Sequence, residues 1–279
     1  MLIERYAAFS TTPTGGNPAG VVLDAFGIDE ATMQAVAAQV GYSETAFITE
    51  ATSESLRIRY FSPLVEVPFC GHATIATAVA YATRHGVGHL LLETNSGSVS
   101  VDTTIGGDGL TAATLISVPP QVRQISESDL VALREALHWP ADDLDPALPP
   151  RVSFAGAWHP VIAAATRARL ADLDYDFDEL ATIMRANDWA TINLIWREST
   201  TVFHARNPFP PGGVYEDPAT GAAAAAVGAY LRHEGLVATP ATLTIHQGTD
   251  MGRPSVIRVE VPEDHTRGIG VSGTAVPLV

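Results

Sequence analysis

The stretch from Pro68 to Gly86, PFCGHATIATAVAYATRHG, constrains the fold most because it predicts a helix without a polar face. From His72 to His85, small or apolar side chains occupy almost every direction around the helix axis. A helix that is apolar on all sides is normally buried on all sides. The stretch therefore predicts a core helix around which other elements pack. We expect Gly86 to end it in the left-handed conformation.

The first residues of this helix predict a binding site for an anion. Cys70, Gly71 and His72 lie where the first backbone N–H groups of a helix have no partner within the helix. These groups and the positive end of the helix dipole favour a carboxylate or a phosphate.

A second stretch, DPATGAAAAAVGAYLRHEG from Asp217 to Gly235, repeats this pattern. Each copy has a glycine turn, a helix of small residues, a tyrosine, a basic pair and a closing glycine. A segment typical of a strand precedes each helix, and a strand, a glycine-containing turn and an alternating strand follow it. Internal similarity of this kind predicts two similar lobes, with the two helix entrances facing one cleft.

We therefore predict an α/β (α+β) fold of two similar lobes. The proline-rich segment VPPQ at 118–121 marks a connection. The predicted N-terminal lobe is 1–117 plus a C-terminal strand at 268–279, and the predicted C-terminal lobe is 118–267.

Charge and composition argue against several classes of function. A formal net charge of −15 disfavours nucleic acid and anionic membranes as partners, because both require clustered Lys and Arg. The chain has no apolar run of membrane-spanning length and no signal-peptide pattern at its start, so we expect a cytoplasmic protein. The sequence contains no P-loop, HExxH motif or serine nucleophile elbow, and we expect neither a metal nor a cofactor.

Three polar residues are candidates for acid–base chemistry. Glu44 lies where the strand SETAFI begins, and its apolar neighbours 46–48 would favour a protonated carboxyl, although an ordinary solvated carboxylate is the simpler interpretation. His72 lies at a helix entrance, which favours a neutral imidazole, but a lone histidine is more often structural. Asp217 could simply cap the second helix or form its turn. Only the repeat, which places it at a helix end comparable to that of His72, suggests a functional role.

The single cysteine, Cys70, is expected to be a small buried filler. Its place at a helix N-terminus would favour a thiolate. The region around Asp217 nevertheless contains no second cysteine, so the mechanism of the two-cysteine racemases is excluded. A lone cysteine also excludes an internal disulfide and a cysteine-based metal cluster.

Five segments together resemble a known family: GGNPAGVV, SETAFI, PFCGHATIATA, EDPATGAAAAAVGAYL and IHQGTDMGRPS. In this order, and over nearly the whole chain, they are similar to the PhzF-like phenazine-biosynthesis proteins, relatives of diaminopimelate epimerase. The resemblance implies two pseudo-symmetric lobes, each a curled, mostly antiparallel sheet or barrel around a central buried helix, with the active site in the cleft between them. It also implies a cofactor-free isomerase that moves a proton on a small unsaturated carboxylate, and a homodimer, since family members often pair.

The resemblance also implies roles for individual residues. Glu44 matches the family's acid/base glutamate, and His72 and Asp217 match positions that orient substrate or relay protons. The family usually has a serine directly after the glycine of its second motif, where this chain has Ala222, which leaves the phenazine precursor in doubt as the substrate. We predict that the anionic substrate is bound by residues at the helix entrances and the adjoining segments, namely Asn17, Ser43, Gly71, Ala73, Thr220, Gly221, Ala222, Gln247 and Gly248.

Two alternatives remain open at this point. An epimerase or racemase acting at one stereocentre would use Glu44, Asp217 or Cys70 as its two bases. A non-catalytic protein on the same scaffold would bind small carboxylates or serve as an interaction module.

Overall fold

The computed structural model describes residues 1–278, which divide into two compact units. The first unit contains Met1–Ile116, Arg253–Ser255 and the residues from Ser272 onward, and the second contains Ser117–Gly252 and Val256–Val271. The short segment at 253–255 belongs to the first unit, where the Arg253 guanidinium donates hydrogen bonds to the carbonyls of Gly15 and Gly16 at 2.8 Å each. Val279, the last residue of the predicted C-terminal strand, lies outside the described residues.

The first unit consists of strands around one helix, with a second helix outside. Its elements are β1 (Glu4–Ala8), β2 (Asn17–Val22), α1 (Glu30–Val40), β3 (Thr45–Ala51), β4 (Leu56–Phe61), β5 (Glu66–Val67), α2 (Gly71–His85), β6 (His89–Thr94), β7 (Gly97–Ile105) and β8 (Thr111–Ile116).

Eight strands of the first unit close into a barrel. The order of pairing is β1, β2, β3, β4, β6, β7 and β8, and the C-terminal strand β17 (Gly270–Pro277) pairs with both β8 and β1. The β2–β3 and β4–β6 pairs are parallel, whereas β1–β2, β3–β4, β6–β7, β7–β8 and β1–β17 are antiparallel. The predicted α/β fold, with a mostly antiparallel barrel, is confirmed.

Helix α2 is the core of this barrel. It packs against β1, β2, β3, β7 and β8, and its residues from His72 to Ala80 are all buried. An eight-stranded barrel has little interior room, so the alanines that make this helix narrow also let it fit. Gly86 has φ 90° and ψ 157°, so the predicted left-handed cap is wrong. The extended ψ leads the chain directly toward β6, which begins three residues later at His89.

The second unit contains the remaining elements. They are β9 (Gln121–Gln124), α3 (Glu127–Ala136), β10 (Arg151–Phe154), β11 (Trp158–Ala163), α4 (Arg167–Ala171), α5 (Phe177–Ala186), β12 (Asn193–Arg197), β13 (Val202–Phe209), β14 (Val214–Asp217), α6 (Gly221–His233), β15 (Ala241–Gln247) and β16 (Ser255–Val261), whose first residue groups with the first unit.

Helix α6 is the buried helix of the second unit. It packs against β9, β10 and β11, and two buried polar side chains satisfy its carbonyls: Asn193 donates to Ala223 at 2.7 Å and Ser153 to Ala226 at 2.8 Å. A Cβ at Gly228 would lie 2.8 Å from Val259, so glycine is what permits this close packing. No helix within residues 1–278 is both long and apolar enough to cross a membrane.

The two units share one order of strand pairing. In the first, β1–β2 is antiparallel, β2–β3 parallel, β3–β4 antiparallel and β4–β6 parallel, and the short β5 pairs with β4 just before α2. In the second, β10–β11, β11–β12, β12–β13 and β13–β15 follow the same sequence of directions, and the short β14 pairs with β13 just before α6. Each buried helix therefore follows an equivalent strand.

Candidate active site

Glu44 is held at the start of β3 by the backbone around it. Helix α1 ends at Gly41 in the left-handed conformation, and the carbonyl of Glu44 accepts a hydrogen bond from the Gly20 N–H at 3.1 Å. A Cβ at Gly20 would lie 2.5 Å from the Thr45 hydroxyl, so the two chains approach closely only because residue 20 is glycine. This fixed backbone leaves the Glu44 side chain 17% exposed.

Three side chains of the first unit converge into what we call the Glu44 cluster, consisting of Glu44, Cys70 and His72. The Cys70 thiol donates to Glu44 Oε2, with Sγ and Oε2 3.3 Å apart. His72 Nδ1 lies 3.3 Å from the same sulfur, and its Nε2 lies 3.5 Å from Glu44 Oε2. Ser43 Oγ is 3.4 Å from His72 Nε2. A carboxylate, a thiol and an imidazole thus contact one another at the entrance of α2.

The entrance of α2 also presents backbone donors. Cys70 is the N-cap residue, and its carbonyl accepts from both the N–H of Thr74 at 3.0 Å and the Thr74 hydroxyl at 2.7 Å. The N–H groups of Gly71, His72 and Ala73 belong to the first turn and have no partner within the helix. A Cβ at Gly71 would meet nothing closer than a Phe69 ring carbon at 4.0 Å, so there is open space beside this residue.

The second unit carries a corresponding polar group at the entrance of α6. Asp217 is the last residue of β14, and its Oδ2 accepts from the Thr220 hydroxyl at 2.6 Å. The buried Gln247 side chain donates to the Asp217 carbonyl at 2.7 Å and accepts from the Thr220 N–H at 3.1 Å. Gln247 therefore fixes the turn that leads into α6.

A buried ion pair supports β14 next to Asp217. Arg206 donates from Nε to Glu216 Oε2 at 2.9 Å and from Nη2 to the other carboxylate oxygen, and the two side chains are 9% and 6% exposed. Burial alone would lower the pKa of Arg206, but the hydrogen bonds and charge of Glu216 outweigh it and raise that pKa. The pair fixes the backbone of the residue before Asp217.

The entrances of α2 and α6 differ from those of the other α-helices in residues 1–278. The N-cap side chains of Asp29, Ser126, Thr166 and Asp176 each accept a hydrogen bond from a first-turn N–H of their helix. The N-cap residues of α2 and α6, Cys70 and Thr220, make no such bond through their side chains. First-turn N–H groups at these two buried helices are therefore left for other acceptors.

The structure brings the predicted residues together in two groups. Glu44, His72 and Ser43 are in contact in the first unit, and Asp217, Thr220 and Gln247 are in contact in the second. The remaining predicted binding residues have these places in the fold: Gly71, Ala73, Gly221 and Ala222 in the first turns of the two helices, Gly248 in the left-handed conformation directly after Gln247, and the buried Asn17 at the first residue of β2.

Two interpretations from sequence are corrected. Cys70 is buried at 8% exposure, but it is not an inert filler, because its thiol contacts both Glu44 and His72. The signal that could have identified it was its place as the N-cap residue beside Gly71 and His72. Of the two structural interpretations of Asp217, the cap is wrong, because the N-cap residue of α6 is Thr220, whereas Asp217 does lie in the turn before the helix, where it accepts the Thr220 hydroxyl.

Comparison with known proteins agrees with the resemblance found in the motifs. The family model PhzC-PhzF, described as phenazine biosynthesis-like protein, matches residues 6–279. The uncharacterized isomerase YddE of Escherichia coli K12 is 32% identical over 97% of this chain and 94% of its own length. The trans-2,3-dihydro-3-hydroxyanthranilate isomerase of Pseudomonas chlororaphis is 30% identical over 96% of this chain and 94% of its own length.

Comparison of the fold with solved structures identifies the same family. The crystal structure of the PhzF-family phenazine biosynthesis protein of Bacillus anthracis superposes with a TM-score of 0.89 at 28% identity, covering 100% of this chain and 98% of that one. The chain therefore belongs to the PhzC-PhzF family of phenazine biosynthesis-like proteins and is an enzyme of the isomerase class.

Proposed function

We propose that the protein is a cofactor-independent isomerase that moves a proton between two carbons of a small unsaturated carboxylate, with Glu44 as its acid/base. The observation that carries this proposal is the Glu44 cluster at the entrance of α2. There a carboxylate that is largely enclosed contacts both an imidazole and a thiol, next to first-turn N–H groups suited to an anion.

The proposed reaction needs only the substrate and Glu44, because the proton that Glu44 removes from one carbon is returned to another. The ionised Glu44 takes a proton from an sp³ carbon, and the electron pair of the broken C–H bond forms a new double bond to the neighbouring carbon. The original double bond shifts its electrons to its far carbon, which receives the proton from Glu44. Negative charge that develops on the substrate carboxylate is stabilised by the N–H groups of Gly71, His72 and Ala73, which need no reorganisation.

His72 is proposed to orient Glu44 and the substrate. Its imidazole contacts the Glu44 carboxylate through Nε2 and the Cys70 sulfur through Nδ1, which fixes the ring. Asp217 is proposed as a further active-site residue, and the N–H groups of Gly221 and Ala222, which follow Thr220, as a second anion-binding entrance. The hydrogen bonds of Asp217 and Gln247 with Thr220 support this role by fixing the turn.

Epimerisation is the second candidate function. One distance argues against an epimerase in which Cys70 and Glu44 are the two bases. An epimerase needs two groups on opposite faces of a carbon. Cys70 Sγ and Glu44 Oε2 are only 3.3 Å apart, so these two groups would approach a substrate from the same side. This distance favours a proton shift across one face over epimerisation by Glu44 and Cys70.

Several finer features belong to this proposal. The two units are proposed to correspond to the two predicted lobes and to derive from an internal duplication, which their common order of strand pairing supports.

We propose a homodimer in the cytoplasm, and light scattering of the purified protein tests the dimer. The substrate is proposed to differ from that of the Pseudomonas relative, because Ala222 cannot supply a hydroxyl.

The proposed function is tested by replacing the acid/base residue, Glu44. A positioned acid/base contributes about 10² to 10⁴ in rate, so Glu44→Gln should lower kcat by that factor on any substrate that the native enzyme turns over. Small unsaturated carboxylates are screened by proton NMR, with trans-2,3-dihydro-3-hydroxyanthranilate, named for the Pseudomonas relative, included for comparison. Glu50→Gln, on the exposed part of β3, the strand that begins directly after Glu44, is the matched control and should keep native turnover. Native turnover by Glu44→Gln would refute the assignment.

A further inference from the structure

We propose that the Glu44 cluster is also a binding site for a thiophilic divalent cation such as Zn²⁺, and that the bound ion inhibits the enzyme. The ion would be a regulator or poison of the site and not a cofactor. Inhibition rests on the proposed role of Glu44, whereas binding rests only on the geometry and chemistry of the three side chains.

The three possible ligand atoms already stand almost at the corners of a tetrahedral face. Two ligands about 2.0 to 2.3 Å from a zinc ion at tetrahedral angles lie about 3.3 to 3.6 Å apart. In the structure Cys70 Sγ is 3.3 Å from Glu44 Oε2, Glu44 Oε2 is 3.5 Å from His72 Nε2, and Nε2 is 3.9 Å from Sγ. Movements of a few tenths of an ångström would therefore complete the set.

The chemistry of the ligands selects the ion. A thiolate, an imidazole and a carboxylate form a mixed S, N and O set that suits Zn²⁺, Cd²⁺ or Co²⁺, whereas Mg²⁺ prefers six oxygen ligands. Cys70 and His72 are buried at 8% and 6% exposure, so their bonds to the ion would be shielded from water. The fourth position remains for water or a substrate oxygen, with Ser43 Oγ close to Nε2 at 3.4 Å.

Inhibition follows from which atoms the ion would occupy. Coordination by Glu44 Oε2 uses the lone pair that accepts the substrate proton, and coordination by His72 Nε2 removes its contact with that carboxylate. The ion would also replace the thiol proton that Cys70 donates to Glu44. An enzyme with Zn²⁺ at this place could bind a carboxylate but could not transfer a proton through Glu44.

The test uses Co²⁺ as a spectroscopic probe on the purified, metal-free full chain without substrate. Cys70 is the only cysteine of the chain, so a thiolate-to-cobalt charge-transfer band can arise from no other residue. We expect one Co²⁺ per chain with this band, displaced by Zn²⁺. Cys70→Ser should abolish the band, and both Cys70→Ser and His72→Gln should weaken binding by about tenfold or more.

A matched control separates this site from ordinary surface binding. His89→Gln removes the exposed imidazole that lies 2.8 Å from Asp102, and it should leave cobalt binding unchanged. Circular dichroism checks the fold of each variant, and the native spectrum alone decides the question if a variant does not fold. Absence of the band in the native protein, or native affinity in both ligand variants, would overturn the site.

The outcomes also separate this inference from the proposed function. If Glu44→Gln abolishes turnover and no Co²⁺ binds, the metal site is refuted and the isomerase mechanism stands. If Co²⁺ binds with the thiolate band while Glu44→Gln keeps full turnover, the site stands and the mechanism fails. If both hold, Zn²⁺ should suppress turnover of the native enzyme and a chelator should restore it.

Discussion

A buried histidine in the second unit makes its stability depend on pH. His159 lies in β11 at 1% exposure, and its Nδ1 is 2.9 Å from the Thr191 hydroxyl. Because that hydroxyl donates to Asn207 Oδ1 at 2.7 Å, its oxygen accepts the proton of His159 Nδ1. Nε2 then carries the lone pair, and it has no hydrogen-bond partner within residues 1–278. A second proton would occupy an apolar position without an acceptor.

Burial accordingly lowers the pKa of His159 from 6.5 to about 4. Above pH 6.5 neither the folded nor the unfolded chain protonates this group, so its contribution to stability is complete. As the pH falls below 6.5 the unfolded chain takes up a proton that the folded chain refuses, and stability drops until the pH reaches about 4. A difference of about 2.5 pKa units at about 1.4 kcal/mol each gives a loss of about 3 to 4 kcal/mol.

The assay compares the native protein with His159→Asn, whose amide can still donate to Thr191. All four tryptophans, Trp139, Trp158, Trp189 and Trp196, lie in the second unit, so their fluorescence reports on the unit that contains His159. Urea unfolding at pH values from 7 to 4 should show a free energy that falls by about 3 to 4 kcal/mol more in the native protein than in the variant. Parallel pH dependences would refute the argument that His159 is buried in its neutral form.

Three further substitutions have definite expected results. Gly228→Ala would place a methyl group 2.8 Å from a valine carbon and should cost about 1 to 3 kcal/mol in urea unfolding, whereas Gly88→Ala, with open space, should cost little. Arg206→Met leaves its buried carboxylate partner unpaired and should cost about 3 to 5 kcal/mol. Its control, Arg84→Met, breaks a pair whose arginine is 42% exposed and should cost less than about 1 kcal/mol. Ala222→Ser restores the hydroxyl and should raise turnover of trans-2,3-dihydro-3-hydroxyanthranilate by about tenfold, measured by NMR.

The buried helices could be predicted because their signal is local. Alanine and other apolar residues recur in every direction around α2 and α6, and the basic residues and glycines near their ends mark where they stop. The chain starts α2 at Gly71 and ends it at His85, within one residue of the expected limits. Local patterns also gave the strands that flank both helices, because alternation and turn residues lie close together in sequence.

Closure of the barrel has no local signal in the sequence, and only the predicted place of the C-terminal strand in the N-terminal lobe anticipates it. It depends on β17 pairing with β1, so that Val276 lies opposite Ala7 across almost the full length of the chain. The prediction of a left-handed Gly86 was wrong for a related reason. A left-handed cap is the usual end of a helix, but here the direction of the following strand decides the backbone angles.

The sequence identified the reactive residues of the site one by one, but it did not predict which of them contact each other. Glu44 and Cys70 are 26 positions apart, and only the packing of α2 inside the barrel brings the thiol to the carboxylate. The sequence identified both residues separately and assigned the cysteine to packing, because a lone cysteine without a second thiol has no evident partner. Residue spacing cannot show that the partner is a carboxylate.

Transfer of one proton by Glu44 across a single face of the substrate is tested most directly by an isotope measurement. A substrate identified by the screen is converted in D₂O, and the product is analysed by NMR and mass spectrometry. Because Glu44 is only 17% exposed, we expect part of the original hydrogen to arrive at the new carbon, and we expect Glu44→Gln to stop the transfer. Complete replacement by solvent deuterium with inversion at a single stereocentre would contradict the account.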